Sequence, residues 1–190
     1  MNRRFRVLIG LSTLLSAVVV AAEPKPIFDG KTLDGWKVQG CEAVVQNGAI
    51  LIKDGNGVVY PDKRYSDFVL ELDWKALKDD KWDSGIYFRC ELPQGERPWP
   101  KRWQVNLLKG QEGNVGGLKG ATSQGLAKAG EWNHFKLTVV GSQAELEING
   151  KHAWKSDGIE EPDGYICIQA EVPGGGQFLF RNIRIAELKP

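Results

Sequence analysis

Asp-Gly and Asn-Gly pairs punctuate the chain, among them Asp29-Gly30, Asp34-Gly35, Asn47-Gly48, Asp54-Gly55, Asn149-Gly150, Asp157-Gly158 and Asp163-Gly164. Each pair favours a tight turn, because Asn, Asp and Gly tolerate the left-handed backbone that hairpin turns demand. Between them lie short runs rich in β-branched and aromatic residues, and no segment of ten residues or more carries a 3.6-residue apolar period. Long helices are therefore not expected, and the chain reads as all-β, a sandwich of short strands. The clearest strands are Ala49 to Lys53, Phe68 to Ala76, His134 to Val140 and Ala144 to Asn149. In the second, Phe68, Leu70, Leu72 and Trp74 form an apolar face against Val69, Glu71, Asp73 and Lys75.

Three further strands break the simple apolar alternation by carrying chemistry on one face. In Gly85 to Cys90, the two-residue period sets Tyr87 and Arg89 opposite Ile86, Phe88 and Cys90. In Trp103 to Leu108, Gln104 and Asn106 oppose Trp103, Val105 and Leu107; in Tyr165 to Glu171, Tyr165, Gln169 and Glu171 oppose Ile166, Ile168 and Ala170. A sheet face of amides, an arginine and aromatics suits a polyhydroxylated ligand, whose hydroxyls both donate and accept and whose rings have apolar faces. Two long loops, Glu91 to Lys101 with three prolines and the glycine-rich Lys109 to Gly130, are placed to frame such a face. Trp82, Trp99 and Trp103 cluster about the first loop as a candidate stacking surface, although parity turns Trp103 inward; Trp36, Trp74 and Trp132 read as core. Gly174-Gly175-Gly176 reads as a hairpin turn, since no helix follows to make it a phosphate cradle.

Residues 1–22 read as an export signal: Arg3, Arg4 and Arg6 precede an apolar run ending in Val20-Ala21-Ala22, with cleavage expected after Ala22. The run is too short and too often interrupted for a retained span, so no stable membrane anchor is expected, and the destination is periplasmic or extracellular. The remaining residues 23–190 suffice for a single domain burying roughly 70% of its unfolded surface. Without the leader's three arginines, 22 basic residues stand against 24 acidic ones, a net charge of −2 that excludes a nucleic-acid partner on electrostatic grounds. Cys41, Cys90 and Cys167 allow at most one internal disulfide. Strand parity points Cys90 to the core and Cys167 to the polar side, which disfavours a bridge between them; free buried thiols are the expectation.

Four stretches in order carry a family resemblance: Ile27 to Trp36, Asp83 to Arg89, Gly130 to His134 and Phe178 to Ile185. Together they resemble the 3-keto-disaccharide hydrolase family, formerly a domain of unknown function, over essentially all of Pro26 to Leu188. The resemblance implies a concanavalin A-like jelly-roll β-sandwich and a hydrolase or lyase that cleaves the glycosidic bond of 3-keto-disaccharides or 3-keto-glycosides. Where that family commonly reads Tyr-Glu-Val-Gln, this chain reads Trp103-Gln104-Val105-Asn106; where it commonly reads Leu-Gln-x-His, this chain reads Ile168-Gln169-Ala170-Glu171. An amide thus replaces a carboxylate, and an acid replaces an imidazole.

A ketone at C3 acidifies the C2 proton, so the chemistry needs a base near C2 and donors for the developing oxyanion. Arg89 is the oxyanion candidate and Glu171 the preferred base, ahead of Asp83 and His134. Tyr87, Gln104, Asn106, Gln169 and Asp83 are the substrate-binding candidates. A divalent cation is compatible with the reaction, but no spacing predicts its ligands, and no metal residues are assigned. Glu71 and Asp73, on one face of one strand, read as solvated carboxylates rather than an opposed glycosidase pair. Arg89 in a structural ion pair is a reading of nearly equal weight. The rival functions are a non-catalytic, lectin-like carbohydrate-binding module, which Gln104 favours, and an exterior interaction domain.

Overall fold

The computed structural model describes residues 23–188, so the expected leader lies outside the described residues. The elements in chain order are β1 (Lys25–Pro26), β2 (Trp36–Gln46), β3 (Ala49–Pro61), β4 (Arg64–Tyr65), β5 (Phe68–Ala76), β6 (Gly85–Cys90) and β7 (Gln104–Asn106). There follow β8 (Asn133–Val140), β9 (Gln143–Ile148), β10 (Lys151–Asp157), β11 (Gly164–Glu171), the single helical turn α1 (Val172–Gly175) and β12 (Phe178–Glu187). All strand pairs are antiparallel and run in the order β10-β9-β8-β5-β12-β3-β11-β6-β7, with β2 along β3. No helix among the described residues is long and apolar enough to cross a membrane.

Strand β3 makes this one curled sheet behave as two layers. Its first half, Ile50 to Ile52, pairs with β12, and its second half, Asn56 to Val59, pairs with β11. Between them Gly55 adopts φ +88°, with Gly40 at φ +72° facing it on β2. A Cβ on Gly55 would come within 2.8 Å of the Cys41 Cα, so only glycine lets the two strands bend together here. Asp54-Gly55 is therefore a kink inside a strand rather than a hairpin. Asn47-Gly48 and Asn149-Gly150, in contrast, have both residues at positive φ and close the β2-β3 and β9-β10 hairpins as the sequence predicts.

The apolar faces of the two layers meet in one core. Phe68, Leu70, Leu72 and Trp74 of β5, with Phe135 and Leu137 of β8, pack in the same cluster as Ile86 and Phe88 of β6 and Ile166 and Ile168 of β11. Trp36, Trp74, Trp82 and Trp103 are all buried there, so Trp82 and Trp103 belong to the core and offer no stacking surface. Trp132 is the reverse correction: it is only half-buried, with the Arg181 guanidinium 3.8 Å from its ring centroid. Strands β11 and β12 lie on opposite sides of β3, so Gly174-Gly175-Gly176 ends a crossover through α1 and is not a hairpin turn.

Candidate functional site

The outer face of the β3-β11-β6-β7 layer carries a second, smaller cluster of Val58, Tyr60, Tyr87, Cys90 and Cys167, partly roofed by Leu92 and Trp99 from the 91–101 loop. The Trp99 indole N–H donates to the Ala170 carbonyl at 2.9 Å, which ties this loop down beside the end of β11. Beyond the roof, between residues 91–102 and 160–161, lies a cleft of about 580 Å³ to which Arg97 and Trp99 both contribute.

Beside the apolar floor, five of the predicted residues come together. Gln104 donates through Nε2 to Gln169 Oε1, and Gln169 donates through its own Nε2 to Glu171 Oε2 at 2.7 Å. The Gln104 side chain can lie across the sheet only because its neighbour is Gly85, where any Cβ would overlap the Gln104 amide. Asp83 precedes β6 and is held from behind by Gly175, whose carbonyl accepts the Asp83 N–H at 3.1 Å and whose missing Cβ leaves room for the Asp83 carbonyl. Ser84, next in the chain, donates its hydroxyl to the Gln169 carbonyl at 2.8 Å. Asn106 shares the face, with its Oδ1 accepting the Leu108 N–H at 2.8 Å.

The electrostatics show that these groups sense one another. Burial raises the Asp83 carboxyl above its ordinary value, and burial followed by the charge of Asp83 does the same to Glu171. The Tyr87 phenol is pushed well up, first by burial, with Arg97 pulling it down and Glu171 and Asp83 pushing it further. Tyr87 therefore stays protonated, and among the described residues its hydroxyl has no hydrogen-bond partner. Both carboxyls are thus weaker acids than in water, Asp83 through burial and Glu171 through burial and the Asp83 charge, which makes them the candidates for acid and base on this face.

Arg89 corrects the parity argument. Cys90 pairs with Tyr165 and Tyr87 with Cys167, so two residues on β6, Phe88 and Arg89, face the single Ile166 on β11. The extra residue is a β-bulge at Arg89, whose φ is +44°. Gly164 opposite makes the bulge feasible, since a Cβ there would overlap the Arg89 backbone. The bulge turns the arginine off the site face and into the rim of the sandwich. There Nε donates to Ser66 O at 2.7 Å, Nη1 to Gly141 O at 2.5 Å and Glu161 O at 3.0 Å, and Nη2 to Asp67 Oδ1 at 2.7 Å. With the residue 2% exposed and these donors engaged, the guanidinium clamps three loops and is not presented to a ligand. The same bulge places Cys90 on the outer face rather than in the core.

The cation whose charge reaches Tyr87 is Arg97, which the sequence reading did not single out. It is exposed on the proline-bounded loop and has no ion pair among the described residues. The signal available was its place between Pro93 and Pro98 in a loop too long for a simple connection. His134 lies on the opposite layer, where its Nδ1 meets Asp73 Oδ1 at 2.9 Å; Asp73 also accepts from Arg181 and Asn182. Glu71 and Asp73 thus stand on that distant outer face, where the Asp73 carboxylate, 16% exposed, is held by His134, Arg181 and Asn182. Among the described residues, no group of three or more His, Cys, Asp or Glu is gathered closely enough to hold a metal ion.

The 3-keto-alpha-glucoside-1,2-lyase-like domain family matches residues 23–186. A 3-keto-disaccharide hydrolase of Bacteroides thetaiotaomicron is 24% identical over 173 residues, which cover 67% of this chain and 58% of that relative, so the chain spans little more than half the relative's length. Among solved structures, a "putative glycosyl hydrolase" from Parabacteroides distasonis aligns with TM-score 0.68 and 20% identity, covering 88% of this chain and all of that one. The carbohydrate binding module CBM66 from Bacillus subtilis aligns with TM-score 0.63 and 14% identity over 80% of this chain and 96% of its own. These structural likenesses establish the lectin-like jelly-roll fold that the sequence predicts. The match over residues 23–186 shows that the chain belongs to the 3-keto-alpha-glucoside-1,2-lyase-like domain family.

Proposed function

We propose that this protein is an exported enzyme that cleaves the glycosidic bond of a 3-keto-disaccharide or 3-keto-glycoside by eliminating the C1 substituent, followed by addition of water. The observation that carries the reading is the hydrogen-bonded chain Gln104-Gln169-Glu171 gathered with Asp83 beside the Tyr87 hydroxyl. Glu171, as carboxylate, takes the C2 proton; the electron pair moves into an enolate at C3, where the Tyr87 hydroxyl donates to the oxyanion and Arg97 adds positive charge. Collapse of the enolate forms the C1–C2 double bond and breaks the C1–O bond, and the protonated Asp83 supplies the leaving oxygen with its proton. Water then adds at C1 while C2 regains a proton, so the net reaction is hydrolysis. Gln104 and Gln169 align the sugar hydroxyls and hold Glu171 through their hydrogen-bonded chain.

The test is incubation of the chain with a 3-keto-glycoside and with its unoxidised parent in deuterated water. The expected result is release of reducing sugar, with deuterium at C2, from the keto sugar alone. Equal cleavage of the parent, or cleavage without C2 exchange, overturns the mechanism. A second reading, a lectin-like module, is favoured by one feature: the amide Gln104 on the strand where family members commonly carry a carboxylate. Sugar binding without turnover would establish that reading instead. Export is supported by the charged and apolar pattern of residues 1–22 and is tested by N-terminal sequencing of the secreted chain.

A further inference from the structure

We infer that Cys90 and Cys167 form a disulfide that staples β6 to β11 beneath the candidate site. The two sulfurs stand 3.5 Å apart on adjacent strands, with Cys90 2% and Cys167 0% exposed. Regular antiparallel parity would put the two side chains on opposite faces of the layer; the bulge at Arg89 is what brings Cys90 onto the face of Cys167. A disulfide needs its sulfurs about 2.05 Å apart, so side-chain rotation has to close only about 1.5 Å. The third cysteine is no competitor. Cys41 packs against the main core, on the other side of the layer, and its thiol meets the Val58 carbonyl at 3.8 Å.

The bond forms between the two Sγ atoms as both thiols lose their protons and two electrons pass to a disulfide oxidant, which is itself reduced to two thiols. The neighbouring Cys90 thiol and burial hold the Cys167 sulfur protonated in the folded chain. The staple closes a loop containing the whole 91–101 roof and fixes Tyr87 on β6 opposite Cys167, two residues from Gln169. The inference rests on this geometry and does not depend on the reaction proposed above.

The experiment is refolding of the full chain from denaturant, once in a glutathione redox buffer and once in dithiothreitol, followed by acid quench, alkylation under denaturing conditions and peptide mapping. After the glutathione arm, Cys41 alone is expected to be alkylated, with the Cys90 and Cys167 peptides joined. The midpoint of thermal unfolding is expected to fall by about 5–15 °C in reductant. A Cys90→Ala variant is expected to show no response to reductant; should it not fold, the thiol count on the unsubstituted chain still decides. Three alkylated thiols, a bridge to Cys41, or a joined chain no more stable than the reduced one would each overturn the inference.

Discussion

Replacing Arg89 separates a structural arginine from a catalytic one. In Arg89→Met, the carbonyls of Ser66, Gly141 and Glu161 and the Asp67 carboxylate all lose their donor. Breaking a fully buried ion pair by removing one partner costs about 3–5 kcal/mol. Here the Asp67 side chain is 26% exposed and the three carbonyls belong to surface loops, so water recovers part of the loss. The lower end applies, about 3 kcal/mol, which for a domain of this size lowers the thermal midpoint by about 6–12 °C. Arg89→Lys keeps a charge for Asp67 but cannot reach four acceptors at once, so it falls between the two, at about 2 kcal/mol. Urea unfolding gives the free energies, and turnover of a 3-keto-glycoside at a temperature where each variant remains folded gives kcat. The expected outcome is a large stability loss with kcat within a few-fold of the parent. A midpoint within about 0.5 kcal/mol of the parent, with kcat reduced a hundredfold or more, would refute the clamp and return the guanidinium to the reaction.

Glu171→Gln and Asp83→Asn are each expected to lower kcat by about 10²–10⁴-fold, measured by reducing-sugar release. Both carboxyls sit above their ordinary values of 4.5 and 3.8, so the folded chain holds these protons more tightly than the unfolded one, and stability declines as pH rises from those values through the raised ones. Glu171→Gln should flatten that decline in chemical denaturation series from pH 4 to pH 8; a steeper decline in the variant contradicts the assignment. Arg97→Ala is expected to leave the unfolding midpoint unchanged, since its side chain is exposed and unpaired, while lowering kcat/KM about tenfold or more; unchanged kinetics would remove Arg97 from the site. Gly85→Ala forces the Gln104 amide off Gln169, and its expected signature is a raised KM with a stability loss of about 1–3 kcal/mol; wild-type kinetics would show that the amide chain does not orient substrate.

Much of this was legible because a sheet face is a simple function of sequence. A period of two gives the right side for Tyr87, Gln104, Gln169 and Glu171, and paired Asn-Gly residues locate two of the hairpins. The failures come from places where one residue breaks the period. The bulge at Arg89 reverses the parity of everything after it on β6, which removes Arg89 from the site and moves Cys90 into contact with Cys167. Nothing in Phe88-Arg89-Cys90 announces a bulge; its enabling residue, Gly164, lies seventy-five positions away on the partner strand. Asp54-Gly55 fails for the same reason in reverse, since a turn pair inside a long strand bends the sheet instead of ending it. Arg97 escaped because loops have no period from which to read a direction.

If the proposed reaction holds, the hydrogen-bonded chain accounts for an amide in place of a carboxylate on β7. With Gln104 donating to Gln169 and Gln169 to Glu171, the amide chain ends on an acceptor, so its polarity favours Glu171 as the unprotonated partner of the pair. A carboxylate at position 104 could not donate to Gln169, and as a third like charge it would raise both neighbours further. The departure from the common family strand is therefore compensated three residues past Ile168, by the acid at Glu171. The pair Gln104 and Glu171 forms one functional substitution, and reverting either alone to the common residue should cost more than reverting both.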